Sequence, residues 1–541
     1  MDTLSNTLHR ALAYHQAGDL DAATHLYQQV LRIDPSHADA LHLMGVTAQQ
    51  TNHPRVAIDY IGRAIAVRPE AAEYHNNLAA ALRADGRLPE AADSWRQALA
   101  INPLLGEAHY NLGITCRELG DDSTAAACYR HALSIDSHNA EAHNNLGIIL
   151  KEQGQLAAAR DCYDAALRIC PDHAAVHNNL GIVLMDLREL DAARDHFEQA
   201  LALDPDYADA HFNRALLWLL TEDFRRGWSE FEWRWRNQLS PRLFSQPRWN
   251  GNVSANETVF IYAEQGLGDE IMFASCIGDL VERNVNCLIE CDGRLWPLLA
   301  RSFPGMRFIA RQDSGEGSPR PIAANNPPMP PARPQFDRQL PIGSLPSLFR
   351  GNAESFPTRG RYLNPDPQRL RKWQARYAKL GNGPVIGVSW RGGGTPETRR
   401  RRSISLDDWR ALFALPDVQF VNLQYGDCRA EIAAAQARWG ITLHDWPDAN
   451  PVADLDDFAA QIAALDLVIS ADNSTVHLAG GVGTPVWVLL PMASDWRWGL
   501  HRTDSLWYPS VRLFRQGRQD DWSGVFTTVR RALETFAHTR G

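Results

Sequence analysis

The chain has 541 residues, enough for about three or four compact units at roughly 150 residues each. Apolar residues make up 45% and charged residues 22%, a globular balance that excludes a disordered or collagen-like chain. The net charge of −10 is uneven: residues 1–238 carry 20 Lys+Arg against 33 Asp+Glu and the remainder 34 against 31, so the first half is unsuited to nucleic acid.

At the amino terminus, MDTLSNTLHR has neither the basic start nor the apolar core of a signal peptide, and no later stretch nears the roughly 18 apolar residues of a membrane helix. The expectation is a cytoplasmic protein without membrane insertion. The eight cysteines form no CxxC pair and read as buried small hydrophobes.

From there to about residue 237 the sequence repeats every 34 residues. Pro35, Pro69, Pro103, Pro171 and Pro205 share one grid position, with Ser137 in the missing slot. Small residues recur early in each unit (Ala11, Gly45, Ala79, Gly113, Gly147, Gly181), and alanines later (Ala23, Ala57, Ala91, Ala125, Ala159, Ala193). A bulky residue follows each of those alanines by four positions (Tyr27, Ile61, Trp95, Tyr129, Tyr163, Phe197). This is the pattern of a helix pair: small residues where two antiparallel helices cross closely, a bulky one to fill the gap, and proline where the second helix stops. Gly18, Gly86, Gly120 and Gly154 fall between the two helices, where a positive φ is useful.

The array resembles the tetratricopeptide repeat (TPR) family over about residues 4–237. Six repeats are followed by a seventh that decays from 208 onward, where Gly227 replaces the alanine and WSEFEWRWRN the amphipathic consensus; it reads as a cap joining the next domain. Residues 1–238 are therefore expected to form an α-solenoid whose concave face suits an extended partner.

Two polar columns lie on the same grid. Asn77, Asn111, Asn145, Asn179 and Asn213 offer amides that match a peptide group without reading a side chain. The column resembles the asparagine ladder of O-GlcNAc transferases, which implies that it binds an acceptor polypeptide by its backbone; the alternative is that the amides bond neighbouring repeats. His75, His109, His143, His177 and His211 stand about 10 Å apart by helix packing, too far for a shared metal, and read as packed at the helix interface.

After QLSPRLFSQPRWNG the pattern changes to short apolar runs, turns and amphipathic helices. The run 258-TVFIYAEQ-265 leads through GLGD into a helix, and runs at 286–290 and 306–310 extend a parallel sheet. The turn lacks GxGxxG, so no dinucleotide is assigned to it. Residues 318–346 contain nine prolines and read as a surface insertion, not a buried strand. The runs 384-PVIGVSW-390, 418-VQFVNLQY-425, 465-LDLVISADN-473 and 485-PVWVLL-490 form a second sheet, and a final helix near 522–538 is expected to pack back across the domains. The expected domains are 239–365 and 366–541, with a ligand cleft at the carboxyl ends of their strands.

The segment 470-SADNSTVHLAGGVGTP-485 joins a strand to a helix start suited to an anion. It resembles the DTGLxHLAAALxxP motif of heptosyltransferase-type (family nine) glycosyltransferases, and GLGD at 266–269 resembles their amino-terminal loop. The resemblance covers roughly residues 256–520 and implies a GT-B fold of two Rossmann-like domains, working without a metal or cofactor on a nucleotide-sugar donor. Asn473 and Ser474 stand where that motif has Thr-Gly. By resemblance Asp269 is the base, Asp472 a sugar or acceptor contact, and Gly268, Asn473, Ser474, Thr475 and His477 line the donor site. Arg391 and Arg402 would neutralise the departing diphosphate, as sugar transfer requires beside a base for the acceptor proton. Plainer readings are a helix cap for Asp269, a packed ring for His477 and a solvated loop for Arg399–Arg402. Trp496, Trp498, Trp507 and Tyr508 could stack on sugars and bases, with Arg497 reaching a phosphate, or could be core.

The combined expectation is a protein O-glycosyltransferase, similar in architecture to O-GlcNAc transferases and to bacterial TPR glycosyltransferases that modify flagellin. The alternatives are transfer to lipopolysaccharide or another glycan, and a TPR scaffold with a degenerate glycosyltransferase half.

Overall fold

The computed structural model describes residues 2–237, 242–254, 256–311, 335–358 and 360–540. It divides into two compact units, Met1–Val183 and Leu184–Gly541. The boundary falls inside the repeat array, not at 238 as the sequence suggests.

The first unit is a series of helix pairs, among them Ala38–Gln50 with Pro54–Val67, Gly106–Glu118 with Asp122–Ile135, and Ala140–Glu152 with Leu156–Ile169. The small-against-bulky pattern accounts for their crossing. A Cβ on Gly113 would meet the Tyr129 ring at 2.6 Å, and one on Gly147 the Tyr163 ring at 2.7 Å. Gly18, Gly86, Gly120 and Gly154 turn between helices with φ of 80–82°. Neighbouring repeats are clasped by ion pairs on the same grid, Arg83 to Glu118 at 2.6 Å and Arg117 to Glu152 at 2.9 Å.

The histidine column has a structural role. The Nε2 of His75, His109, His143, His177 and His211 lies 2.9–3.2 Å from the carbonyl six residues earlier, at Pro69, Pro103, Ser137, Pro171 and Pro205. A carbonyl only accepts, so each ring donates, tying the next helix to the stop of the last. The asparagine column is half-buried. Three of its amides donate to the preceding repeat: Asn77 to His42 at 2.8 Å, Asn145 to Tyr110 at 3.5 Å and Asn179 to Asn144 at 3.0 Å. The inter-repeat alternative therefore holds for these three side-chain NH2 groups.

The second unit begins with Leu190–Leu203, Ala208–Leu220 and Phe224–Phe231. Its strands are β1 (Val259–Tyr262), β2 (Cys287–Cys291), β3 (Arg307–Ala310), β4 (Arg338–Pro341), β5 (Val385–Ser389), β6 (Gln419–Asn422), β7 (Leu443–His444), β8 (Leu467–Ala471), β9 (Val486–Leu490) and β10 (Val511–Arg515). They form two wholly parallel sheets, in the orders β3-β2-β1-β4 and β10-β9-β8-β5-β6-β7. Both faces of the second sheet are covered, as parallel sheets require. Along β8, Val468 enters one core, and Leu467 and Ile469 the other. The first core also contains Phe212, Phe224, Trp228 and Phe231, which explains why the last repeat belongs to this unit.

Two expectations are corrected. Of the proline-rich stretch 318–346, residues 318–334 lie outside the described residues, but Arg338–Pro341 form the edge strand β4, paired with β1. Pro341 takes the last position of an edge strand, where a missing N–H is tolerated. The helix Ser523–Arg540 does not cross between domains: Val525, Phe526, Val529 and Leu533 pack on Trp409, Phe413 and Phe514 beside the second sheet.

Candidate functional site

Strands β5 and β8 end side by side, Ser389 opposite Ser470, and the chain leaves both toward one cleft. After β8, Asn473 caps the helix Ser474–Val482: its Oδ1 accepts from the Thr475 N–H at 3.0 Å. Its Nδ2 donates to Ser389 Oγ at 2.8 Å and to the Arg391 carbonyl at 3.0 Å, clamping the two strand ends together. On the opposite wall, the turn after β1 opens the helix Leu267–Phe273, bringing Gly266, Gly268 and Asp269 to face Ser474 and His477. The cleft has a volume of about 450 Å³ and is also lined by Gly393, Arg402, Tyr425, Asp472, Asp495 and Arg497.

A chain of ion pairs runs along it. Arg402 Nε lies 3.3 Å from Asp472 Oδ2, and its Nη2 2.8 Å from Asp495 Oδ2. Arg497 Nη1 is 2.6 Å from Asp495 Oδ1, and Nη2 binds Asp269 Oδ1. The other oxygen of Asp269 accepts from the Gly266 N–H at 3.2 Å, so the capping role read from the sequence is real. Burial opposes the charge of Asp495, yet Arg497 and Arg402 hold its carboxyl well below the usual range. Burial likewise disfavours the Arg497 charge, but Asp269 and Asp495 raise its pKa. Burial, helped by Arg497, brings His477 down to about 4, so its ring is neutral at physiological pH. Two guanidiniums with fixed partners beside a helix amino terminus are suited to holding an anion.

Of the residues singled out by sequence, Gly268, Asp269, Arg402, Asp472, Asn473, Ser474 and His477 line this cleft. Arg391 and Thr475 do not. Arg391 turns to the Asp427 carbonyl at 3.2 Å and to Glu431 at 3.8 Å. Thr475 is buried, its N–H is taken by Asn473, and its hydroxyl lies unpartnered inside the fold. The side chain of Asn473 is committed to its cap and clamp. Asp495, Tyr425 and Arg294 were missed; only the alternation of charge and tryptophan in 495-DWRWG-499 hinted at the first.

The aromatic residues near 496–508 are core, not stacking platforms. Trp496, Trp498, Trp507 and Tyr508 are all under 9% exposed. Trp496 packs edge-on against Trp228 at 5.4 Å, so the last repeat supports the turn that carries Arg497. Arg188 donates to the Met492 carbonyl, and Arg401 binds Asp186 at 3.0 Å and the Ala493 carbonyl at 2.8 Å, holding the same segment. Among the described residues no helix is long and apolar enough to cross a membrane.

Tetratricopeptide-repeat families match residues 8–37, 42–105, 115–154 and 139–206. Protein FlbA of Caulobacter vibrioides is 38% identical over 336 residues, 60% of this chain and 54% of FlbA, so the chain spans about half the length of that relative. Among solved structures, PilF of Pseudomonas aeruginosa is 21% identical, covering 39% of this chain and 96% of PilF, with a TM-score of 0.37. MamA is 24% identical, covering 31% and 95%, with a TM-score of 0.28. YrrB, described as a TPR protein with an unusual peptide-binding site, is 19% identical, covering 35% and 98%, with a TM-score of 0.33. The chain carries a tetratricopeptide-repeat array ahead of two parallel α/β sheets, and is a homologue of FlbA.

Proposed function

We propose that the second unit is a GT-B glycosyltransferase that transfers a sugar from a nucleotide-sugar donor to a Ser or Thr hydroxyl of a polypeptide held by the repeats. The observation that carries this reading is the facing of Asp269, on one sheet's turn, with Arg402, Arg497 and the helix start at Ser474, on the other's. A donor diphosphate at Ser474 would recruit Arg402 and Arg497 by charge-assisted hydrogen bonds. Drawing Arg497 onto the phosphate would release Asp269 Oδ1, leaving that carboxylate to take the acceptor proton. The arginines would then stabilise the charge that develops on the leaving diphosphate. In this reading the Asp269–Arg497 pair keeps the base occupied until donor arrives. Binding of a polypeptide is supported by the repeat array and by the Asn carbonyl oxygens, which can accept from a peptide N–H even where the amide nitrogen is used. Flagellin is the acceptor we put first, on the architectural resemblance, with a cytoplasmic setting.

The test is intact-mass analysis of purified flagellin incubated with the protein and a panel of nucleotide sugars. A mass increase by one sugar residue is expected, reduced at least 100-fold in rate by Asp269→Asn. Modification of a lipopolysaccharide or glycan acceptor alone would replace the polypeptide reading. Absence of transfer to any acceptor, with normal repeat-dependent partner binding, would leave a scaffold.

A further inference from the structure

A cavity of about 420 Å³ lies in the repeat array where the 34-residue pattern departs from its own columns. It is bordered by Ala38–Gln50, Ala72–Ala84 and Gly106–Glu118, the first helices of three successive repeats. Ala80 stands in a column that otherwise reads Val46, Ile114, Ile148, Ile182 and Leu216, and its shorter side chain makes room for the cavity it lines. Further along, Arg83 and Arg117 pair with Glu118 and Glu152 of the next repeat. One junction earlier the same two slots hold Gln49 and Ala84, which cannot form an ion pair. Gln49 instead donates through Nε2 to the Ala80 carbonyl at 3.5 Å, and its Oε1 is buried without a partner. Because a carbonyl only accepts, the nitrogen is the end that faces Ala80 and the oxygen is the free end.

The same place frees one amide of the asparagine column. Asn77, Asn145 and Asn179 each donate to the residue 35 positions earlier. For Asn111 that residue is Asn76, whose amide is already used: its Oδ1 accepts from the Trp95 indole N–H at 3.0 Å and its Nδ2 points to Asn77 at 3.4 Å. Trp95 is the one tryptophan in a column of Tyr, Ile and Phe. The Asn111 side chain therefore makes no hydrogen bond among the described residues, and it lines the cavity with Gln49. The two charged residues of the lining neutralise each other, Arg83 donating to Glu118 through Nε at 3.3 Å and Nη2 at 2.6 Å.

We propose that this cavity is a side-chain pocket that takes a carboxamide residue, glutamine or asparagine, of an extended polypeptide held by the repeats. Asn111 offers a donor and an acceptor together, the complement of a peptide group, and Gln49 Oε1 accepts from the carboxamide N–H. Gln49 and Asn111 lie on the outer two of three helices spaced about 10 Å apart, so backbone and side-chain tip of one residue engage them separately. The occupant is neutral because the cavity holds no charge left unpaired. A carboxamide has a second N–H and an oxygen for the Glu118 and Arg83 side chains, which a single hydroxyl lacks. The inference rests on the reading that the repeats hold a polypeptide, and is independent of the sugar-transfer reading.

The test titrates the full-length protein with fluorescently labelled glycine-serine peptides that carry a single central Gln, Ala or Lys, read by anisotropy. The Gln peptide should bind about tenfold tighter than the Ala peptide, the size of one or two neutral hydrogen bonds. Ala80→Ile, which fills the cavity with the residue of neighbouring repeats, should abolish that preference, as should Gln49→Arg combined with Ala84→Glu, which restores the ion pair. Both variants follow the array's own pattern, and an unchanged thermal midpoint confirms that they fold. Asn111→Ala should weaken every peptide, and more than Asn145→Ala does. Equal binding of the Gln and Ala peptides, or a Gln preference that survives both pocket variants, would overturn the pocket and leave polypeptide binding standing. Tightest binding of the Lys peptide would overturn the neutral occupant. If no peptide binds, the polypeptide reading falls and this inference falls with it.

Discussion

Asn52, Arg188 and Glu222 occupy the inter-helix slot that glycine holds in other repeats, and all three have positive φ, 61°, 67° and 65°. A non-glycine residue there is strained by roughly 1 kcal/mol. Arg188 and Glu222 return that cost through contacts in the second unit, with the Met492 carbonyl and with Arg502 at 3.6 Å. Asn52→Gly should therefore stabilise the repeats by about 0.5–1 kcal/mol in urea unfolding, whereas Arg188→Gly should give no gain; equal gains would disprove the contact argument. Glu270, next to Asp269, has one oxygen on the Asp292 N–H and the other buried without a partner. Burial pushes its pKa up to about 7. A carboxyl raised above its unfolded value stabilises least when ionised, so stability falls as pH rises from the ordinary carboxylate range toward 7. Glu270→Gln should remove this dependence and stabilise the protein at pH 8 by on the order of 3 kcal/mol, read by denaturation at pH 5 and pH 8. A steeper loss in the variant would contradict the assignment.

Among the elements, the last helix pair and the turn Trp496–Trp498 form one structural joint. Trp228 packs on Trp496, and its indole nitrogen donates to the Arg350 carbonyl at 2.8 Å. Trp228→Ala should cost about 3–5 kcal/mol and shift Arg497, weakening any anion in the cleft. Unchanged nucleotide affinity in a folded Trp228→Ala protein would separate repeat packing from the site. The repeat was legible because its packing rule is local: Gly113 and Tyr129, 16 residues apart, recur in register. Seven apolar runs were legible as strands for the same reason. The short β7, the edge strand β4 ending at Pro341 and β10, interrupted by the exposed Arg512, carry no continuous apolar run. In the site, the turn at 266–269 and the helix start at 472–477 announced themselves by polar residues at strand ends. The roles of Asn473 and Thr475 did not, because capping decides which atoms point outward. Asp495 was only hinted at by 495-DWRWG-499, because its partner Arg402, distant in sequence, meets it only through folding.

Across the whole molecule, the acidic excess lies in the repeats, and three arginines of the near-neutral remainder, Arg294, Arg402 and Arg497, line the cleft. That arrangement favours an anionic small molecule in the second unit. The central claim is that a nucleotide sugar binds there through Arg402 and Arg497. The most direct measurement is thermal stabilisation of the full protein by a panel of nucleotides and nucleotide sugars, beside Arg402→Ala and Arg497→Ala. A ligand at 100 times its dissociation constant should add about 2.7 kcal/mol to stability. The account predicts stabilisation by one nucleotide family, lost in both variants and retained in Arg391→Ala. Stabilisation that survives in both Arg402→Ala and Arg497→Ala, or none with any nucleotide, would contradict it.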